Sequence, residues 1–251
     1  MKVFKALQIR YFIYTLILLI FLSCSDDDEV NIELDEYDLE VISYFKDIAL
    51  GFEYGTSSEI TRKWCSDLNI FVGGDISNDL NVELNNIVNE IRSLVTDNFS
   101  IQIVNDSSQS NYYIFFGSGD EYSKIFPSQA NYVDSNWGLF SIWWDESNCL
   151  NRGNMYVDIY RANNIGQKHL LREELTQSLG LGKDSSKYPN SIFQSSWTQT
   201  LNYLEIDKDL IRLLYHPKMK IGVDRYEVDN LLREILLSCL LYTSDAADDD
   251  H

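Results

Sequence analysis

The residues best suited to chemistry lie in one stretch, His169 to Ser185, read as HLLREELTQSLGLGKDS. In the H-E-x-x-H arrangement two histidines share one helical face and bind zinc, with the glutamate beside the first as general base. Glu173 to Gly180 (EELTQSLG) fits that frame, with a glycine three residues past the second ligand position. Both imidazoles are replaced. Glu173 stands at the first ligand position and Gln177 at the second, while Glu174 keeps the place of the general base. A Glu and Gln pair offers only oxygen, which suits Mg²⁺, Ca²⁺ or Mn²⁺ better than zinc. His169 precedes Glu173 by four residues, so His169, Glu173 and Gln177 can share a face and form an alternative set for a divalent metal. The leading expectation is no metal and no cofactor. Glu173, Glu174 and Gln177 then either form a hydrogen-bonded network lining a cleft with His169, or lie on a solvated face. If the chain is an enzyme, Glu174 is its catalytic residue.

Other chemistries find little support. The chain has 251 residues, only three histidines, and a formal charge of -19. Nucleic acid is a poor partner for such a body, because polyanion binding needs clustered Lys and Arg. At 45% hydrophobic the chain is too apolar for a disordered acidic tail, so a folded core is expected. No G-x-S-x-G elbow, P-loop, G-x-G-x-x-G or C-x-x-C is present. With only His169 and His216 before the last residue, a Ser-His-Asp triad has few options. Trp137, Trp143, Trp144 and Tyr156 precede the motif stretch; they either stack on a sugar or peptide at a cleft edge or fill the core.

The elements that must position these residues follow from hydrophobic spacing. Glu36 to Phe52 reads as a helix, Thr61 to Gly74 as one strand, and Asn78 to Val95 as an amphipathic helix. Strands are expected at Ile101–Val104, Tyr112–Phe116, Leu139–Trp144 and Met155–Tyr160. Helices follow at Gly166–Leu179, which carries the motif, then at Asp207–Tyr215 and Arg225–Leu237. Strands interleaved with helices, with helices dominating the end, indicate α+β or α/β architecture.

The block Glu173 to Leu181, followed by Asp184-Ser185 and Ser191-Ile192-Phe193, resembles the family known as domain of unknown function 2927. Leu204, Asp207, Leu213-Leu214-Tyr215, Pro217 and Gly222 are similar to its second block, and Arg62-Lys63-Trp64 to its entry. Val223 departs from the methionine frequent there. The resemblance spans Ile60 to Glu234. It implies a zincin-like α+β fold, with a mixed sheet packed against helices, and a lipoprotein; it implies no established activity.

The two ends read differently. Lys2, Lys5 and Arg10 precede an uncharged apolar run, Tyr11 to Leu22, too short for a comfortable membrane span of ~20 residues. Phe21-Leu22-Ser23-Cys24 resembles a bacterial lipobox, so residues 1–23 are expected to be a signal peptide and Cys24 the lipidated first residue. The alternative is an uncleaved anchor helix. Ser25 to Glu36 holds seven acids in 12 residues and reads as an extended tether. Ser25-Asp26-Asp27-Asp28 also resembles the surface-export signals of some Gram-negative lipoproteins, which implies an outer membrane or cell-surface location. Residues 37–238 form the domain. Cys239 to Asp249 (CLLYTSDAADD) looks like a translated sequencing adapter, so residues 239–251 are set aside. Outside the cytoplasm Cys65 and Cys149 can pair. The leading function is a non-catalytic binding protein of the envelope, for a peptide, glycan or envelope protein; the rival is an atypical metal-dependent hydrolase.

Overall fold

A computed structural model describes residues 33–55 and 57–248. Cys24, the residues before it and the first part of the acidic run lie outside the described residues. The first helix, α1 (Glu36–Ile48), starts with a capping box in which Asp35 accepts from the Asp38 N–H and Asp38 from the Asp35 N–H. It buries Val41, Ile42, Tyr44, Phe45 and Ile48.

Six strands build one sheet: β1 (Lys63–Trp64), β2 (Leu68–Gly74), β3 (Ile101–Val104), β4 (Tyr112–Gly117), β5 (Gly138–Trp144) and β6 (Cys149–Asp158). Neighbours run β3, β2, β4, β6, all parallel, and β1 joins the first residues of β6, also parallel. The central strands read as near-continuous apolar runs, YYIFF in β4 and MYV in β6, because helices cover both faces of a parallel sheet. β5 alone is antiparallel. It pairs with β6 along one side only, so among the described residues its other edge has no strand partner.

The helices α2 (Asn78–Leu94), α3 (Gly119–Ile125), α4 (Asn164–Gln177), α5 (Glu205–Leu214) and α6 (Arg225–Asp248) complete the fold. The architecture is α+β, with a mostly parallel sheet flanked by helices and a helical C-terminal part. α4 packs on β5, β6 and α2, while α1 packs on α5 and α6.

Three expectations change. Thr61 to Gly74 is two strands, not one: the chain breaks at Cys65–Asp67, because Trp64 pairs with β6 while Leu68 onward pairs with β3 and β4. Cys65 and Cys149 form a disulfide across that break, tying β1 to the start of β6. The last strand begins at Cys149 rather than Met155, because Asp145 to Asn148 makes a tight turn that carries β5 straight into β6. α3 has no counterpart in the sequence reading; with only seven residues it shows no helical period, and its Ser118–Glu121 capping box is its local signal.

Candidate functional site

Polar groups at both ends fix α4. Asn163 caps its start by accepting from the Gly166 N–H. Past its end the Trp64 indole donates to the Ser178 carbonyl at 2.9 Å and the Tyr215 hydroxyl to that of Leu179 at 2.8 Å. Gly180 adopts φ +115°, and a Cβ there would sit 2.0 Å from the Arg62 carbonyl oxygen, so glycine is required where the helix leaves beneath β1.

One face of α4 is held against α2 and Tyr203, although the buried Arg172 Nε has no hydrogen-bond partner among the described residues. Arg172 pairs with Glu83 at 3.0 Å and Glu90 at 2.6 Å on α2 and lies over the Tyr203 ring. The Thr176 hydroxyl meets the Tyr203 hydroxyl at 2.6 Å. The other face carries His169, Glu173, Glu174 and Gln177, and all four line a cleft of about 790 Å³.

Within that cleft, His169 Nδ1 donates to the Thr200 carbonyl at 2.8 Å, and Nε2 lies 3.3 Å from both Glu173 Oε2 and Thr198 Oγ1. Gln177 Nε2 donates to Asp184 Oδ1 at 2.5 Å, one loop beyond the helix. His169 pairs with Glu173 and Gln177 with Asp184, so the structure shows two separate pairs rather than one network of Glu173, Glu174 and Gln177. Glu174 lies between them against β5: a Cβ on Gly138 would stand 2.7 Å from its Oε1, and the Phe140 N–H donates to its carboxyl. Glu53 arrives from the segment after α1, held where its N–H donates to the Gly182 carbonyl at 3.0 Å.

Charge is unbalanced here. Burial, then the charges of Glu173, Asp184 and Glu53, hold the Glu174 carboxyl well above the usual range. Burial, then Glu173 and Glu53, push Asp184 up to about 7. Glu53 is raised too, by burial and Glu173. For His169 burial pulls the pKa down, but the hydrogen bond and charge of Glu173 and the Thr200 carbonyl outweigh it, and the net direction is up.

The walls are aromatic. All of β5 faces the cleft, together with Phe52, Tyr54, Tyr132, Trp137 and Trp197. Trp137 and Trp197 meet edge-to-face at 5.6 Å, Tyr54 and Tyr132 lie 6.1 Å apart, and Phe52 stacks on Trp144. Trp137, Trp143 and Trp144 thus belong to the cleft, whereas Tyr156 is core. His216 is elsewhere, beyond α5. Among the described residues no group of three or more His, Cys, Asp or Glu is placed to hold a metal ion. His169 and Glu173 do meet, but Gln177 turns to Asp184 instead of joining them.

A family model described as a protein of unknown function, DUF2927, matches residues 38–234. The chain belongs to this family. No curated relative matches it. The DUF2927 match takes in every strand and all of α4, so the cleft lies wholly inside the family domain. Sequence reasoning missed Glu53, Tyr54, Tyr132, Trp197 and the two threonines that hold His169. They come from separate loops, and only the exposure of an isolated tryptophan, Trp197, had a signal in its residue type.

Proposed function

We propose that this DUF2927 domain is a non-catalytic binding module of the cell envelope, carried on a lipid at Cys24 in the outer membrane of a Gram-negative bacterium. Its fold is zincin-like, and its cleft takes an extended peptide. The basic start, apolar run and Cys24 support the anchor. An antiparallel edge strand lying over a helix with EELTQSLG supports the zincin-like reading.

The observation that carries the binding reading is the cleft of about 790 Å³ with β5 as one wall. An unpaired strand edge offers main-chain N–H and C=O groups to an incoming strand, and the aromatic rim supplies pockets for its side chains. Ligand sites of this size and lining are usual for small ligands and short segments. The test is tryptophan fluorescence of the full chain in detergent, titrated with blocked pentapeptides. Saturable quenching that Trp197→Ala abolishes and Tyr226→Ala, at an exposed position of α6 outside the cleft lining, leaves intact supports the module. Flat titrations across the panel sink it.

A catalytic reading has one observation behind it: Glu174 sits at the general-base position in the cleft with a raised pKa. It requires a divalent metal held by His169, Glu173 or Gln177. Stoichiometric metal in the purified chain and a hydrolytic activity lost in Glu174→Gln would replace the binding reading with this one.

A further inference from the structure

We infer that the cleft recognises a cationic group, the guanidinium or ammonium of an arginine or lysine side chain in the bound peptide. This deepens the peptide-binding reading and rests on it.

The first support is the charge inventory around the cleft. Glu53, Glu173, Glu174 and Asp184 line it, and no Lys or Arg among the described residues pairs with any of them. His169, which carries charge only when protonated, lies beside Glu173. The cations nearby are committed elsewhere. Lys183 reaches Glu59 at 2.9 Å, and Arg172 reaches Glu83 and Glu90. Arg62 donates to the Ser58 and Ile60 carbonyls and lies over the Trp144 ring at 4.4 Å, with no carboxylate partner among the described residues.

The second support is Glu174 itself. It is only 9% exposed, faces the cleft and has no side-chain partner; the Phe140 N–H is its one donor. Leaving a carboxyl so placed without a cation is costly unless it is held neutral, and such sites mark function rather than stability. A ligand cation would give it the missing partner.

Two features narrow the ligand. The acids belong to three separate segments and do not form a metal-holding group, so they suit a wide, planar or flexible organic cation better than a compact ion. The rim pairs Trp137–Trp197 and Tyr54–Tyr132 flank the acids, and aromatic faces and edges beside carboxylates favour cations desolvated in their company.

A bound cation takes its place among Glu53, Glu174 and Asp184 on the cleft wall, so neutralising either Glu53 or Asp184 weakens it. The test is calorimetry on the full chain in detergent with blocked Ala-Ala-Arg-Ala-Ala and its citrulline counterpart, which keeps the shape and loses the charge. The arginine peptide is expected to bind about tenfold more tightly at pH 8. Asp184→Asn and the lip variant Glu53→Gln, both checked for an intact melting transition, should weaken the arginine peptide and leave citrulline unchanged. Equal affinities for the two peptides overturn the cation inference and leave the peptide cleft standing. If neither peptide binds, both readings fall. Displacement of the arginine peptide by calcium at equal concentration also overturns the inference, in favour of a metal site.

Discussion

Replacing Asp184 with asparagine should make the protein more stable above about pH 4, by an amount that grows up to about pH 7. Burial, then Glu173 and Glu53, raise the Asp184 pKa from an ordinary 3.8 to about 7. Between those values the folded protein holds a proton that the unfolded chain has released, so stability falls as pH rises across the window. Below about pH 4 both states are protonated and the aspartate costs nothing. The full gap corresponds to about 4 kcal/mol. The side chain is partly exposed and its repulsion is screened, which reduces the figure to about 1–2 kcal/mol. In a domain of this size that is a rise in Tm of about 3–6 °C. Asparagine keeps an oxygen to accept from Gln177 Nε2, so the 2.5 Å hydrogen bond need not be lost. Thermal unfolding followed by circular dichroism at pH 4, 6 and 8 measures the difference. A gain of the same size at pH 4 and pH 8, or a loss at pH 8, would refute the account of the acid cluster.

Other perturbations probe the frame around the cleft. Gly180→Ala combines a φ of +115° with a Cβ 2.0 Å from the Arg62 oxygen, and should cost about 2–3 kcal/mol in urea unfolding. Replacing both Cys65 and Cys149 with serine opens a link spanning 84 residues and should cost about 2–4 kcal/mol, read as a lower urea midpoint. The His169 imidazole should titrate above 6.5 by NMR, and lower in Glu173→Gln. Because its folded pKa is raised, its contribution to stability is complete below pH 6.5 and fades as pH climbs through the folded value. Loss of that slope in Glu173→Gln checks the link.

Local pattern made much of the fold legible. β3 lies at Ile101–Val104, where Ile101, Ile103 and Val104 mark it, and α2 follows the spacing of Leu80, Leu84, Ile87 and Ile91. The helix period also places His169, Glu173 and Gln177 on one face, so three cleft residues follow from spacing alone. What spacing lacks is distance in space. Glu53 reaches the cleft because Gly182 leaves room for Phe52, whose ring would meet a Cβ there at 2.1 Å. The edge-to-face meeting of Trp137 and Trp197 depends on two loops that share no sequence pattern. The break at Cys65–Asp67 was hidden for a related reason: the alternation continues through it, although its two halves belong to different neighbours in the sheet.

On α4 the residue type at each position decides where the side chains of one face turn. Imidazoles at the two ligand positions would turn both toward one ion, whereas Glu173 and Gln177 each find a protein partner of their own. Those partners pull in opposite directions along the helix, His169 one turn before Glu173 and Asp184 on the loop after Gln177. Glu174 is left between them with the Phe140 N–H alone, in a cleft where its neighbours are acids and aromatic rings. The energetic consequence is a site short of positive charge by more than one proton can supply. A metal would need the two positions to converge, and each is engaged elsewhere. An arginine or lysine side chain needs no such convergence of ligands. Supply of that charge by a ligand is the step the arginine and citrulline peptides tell apart.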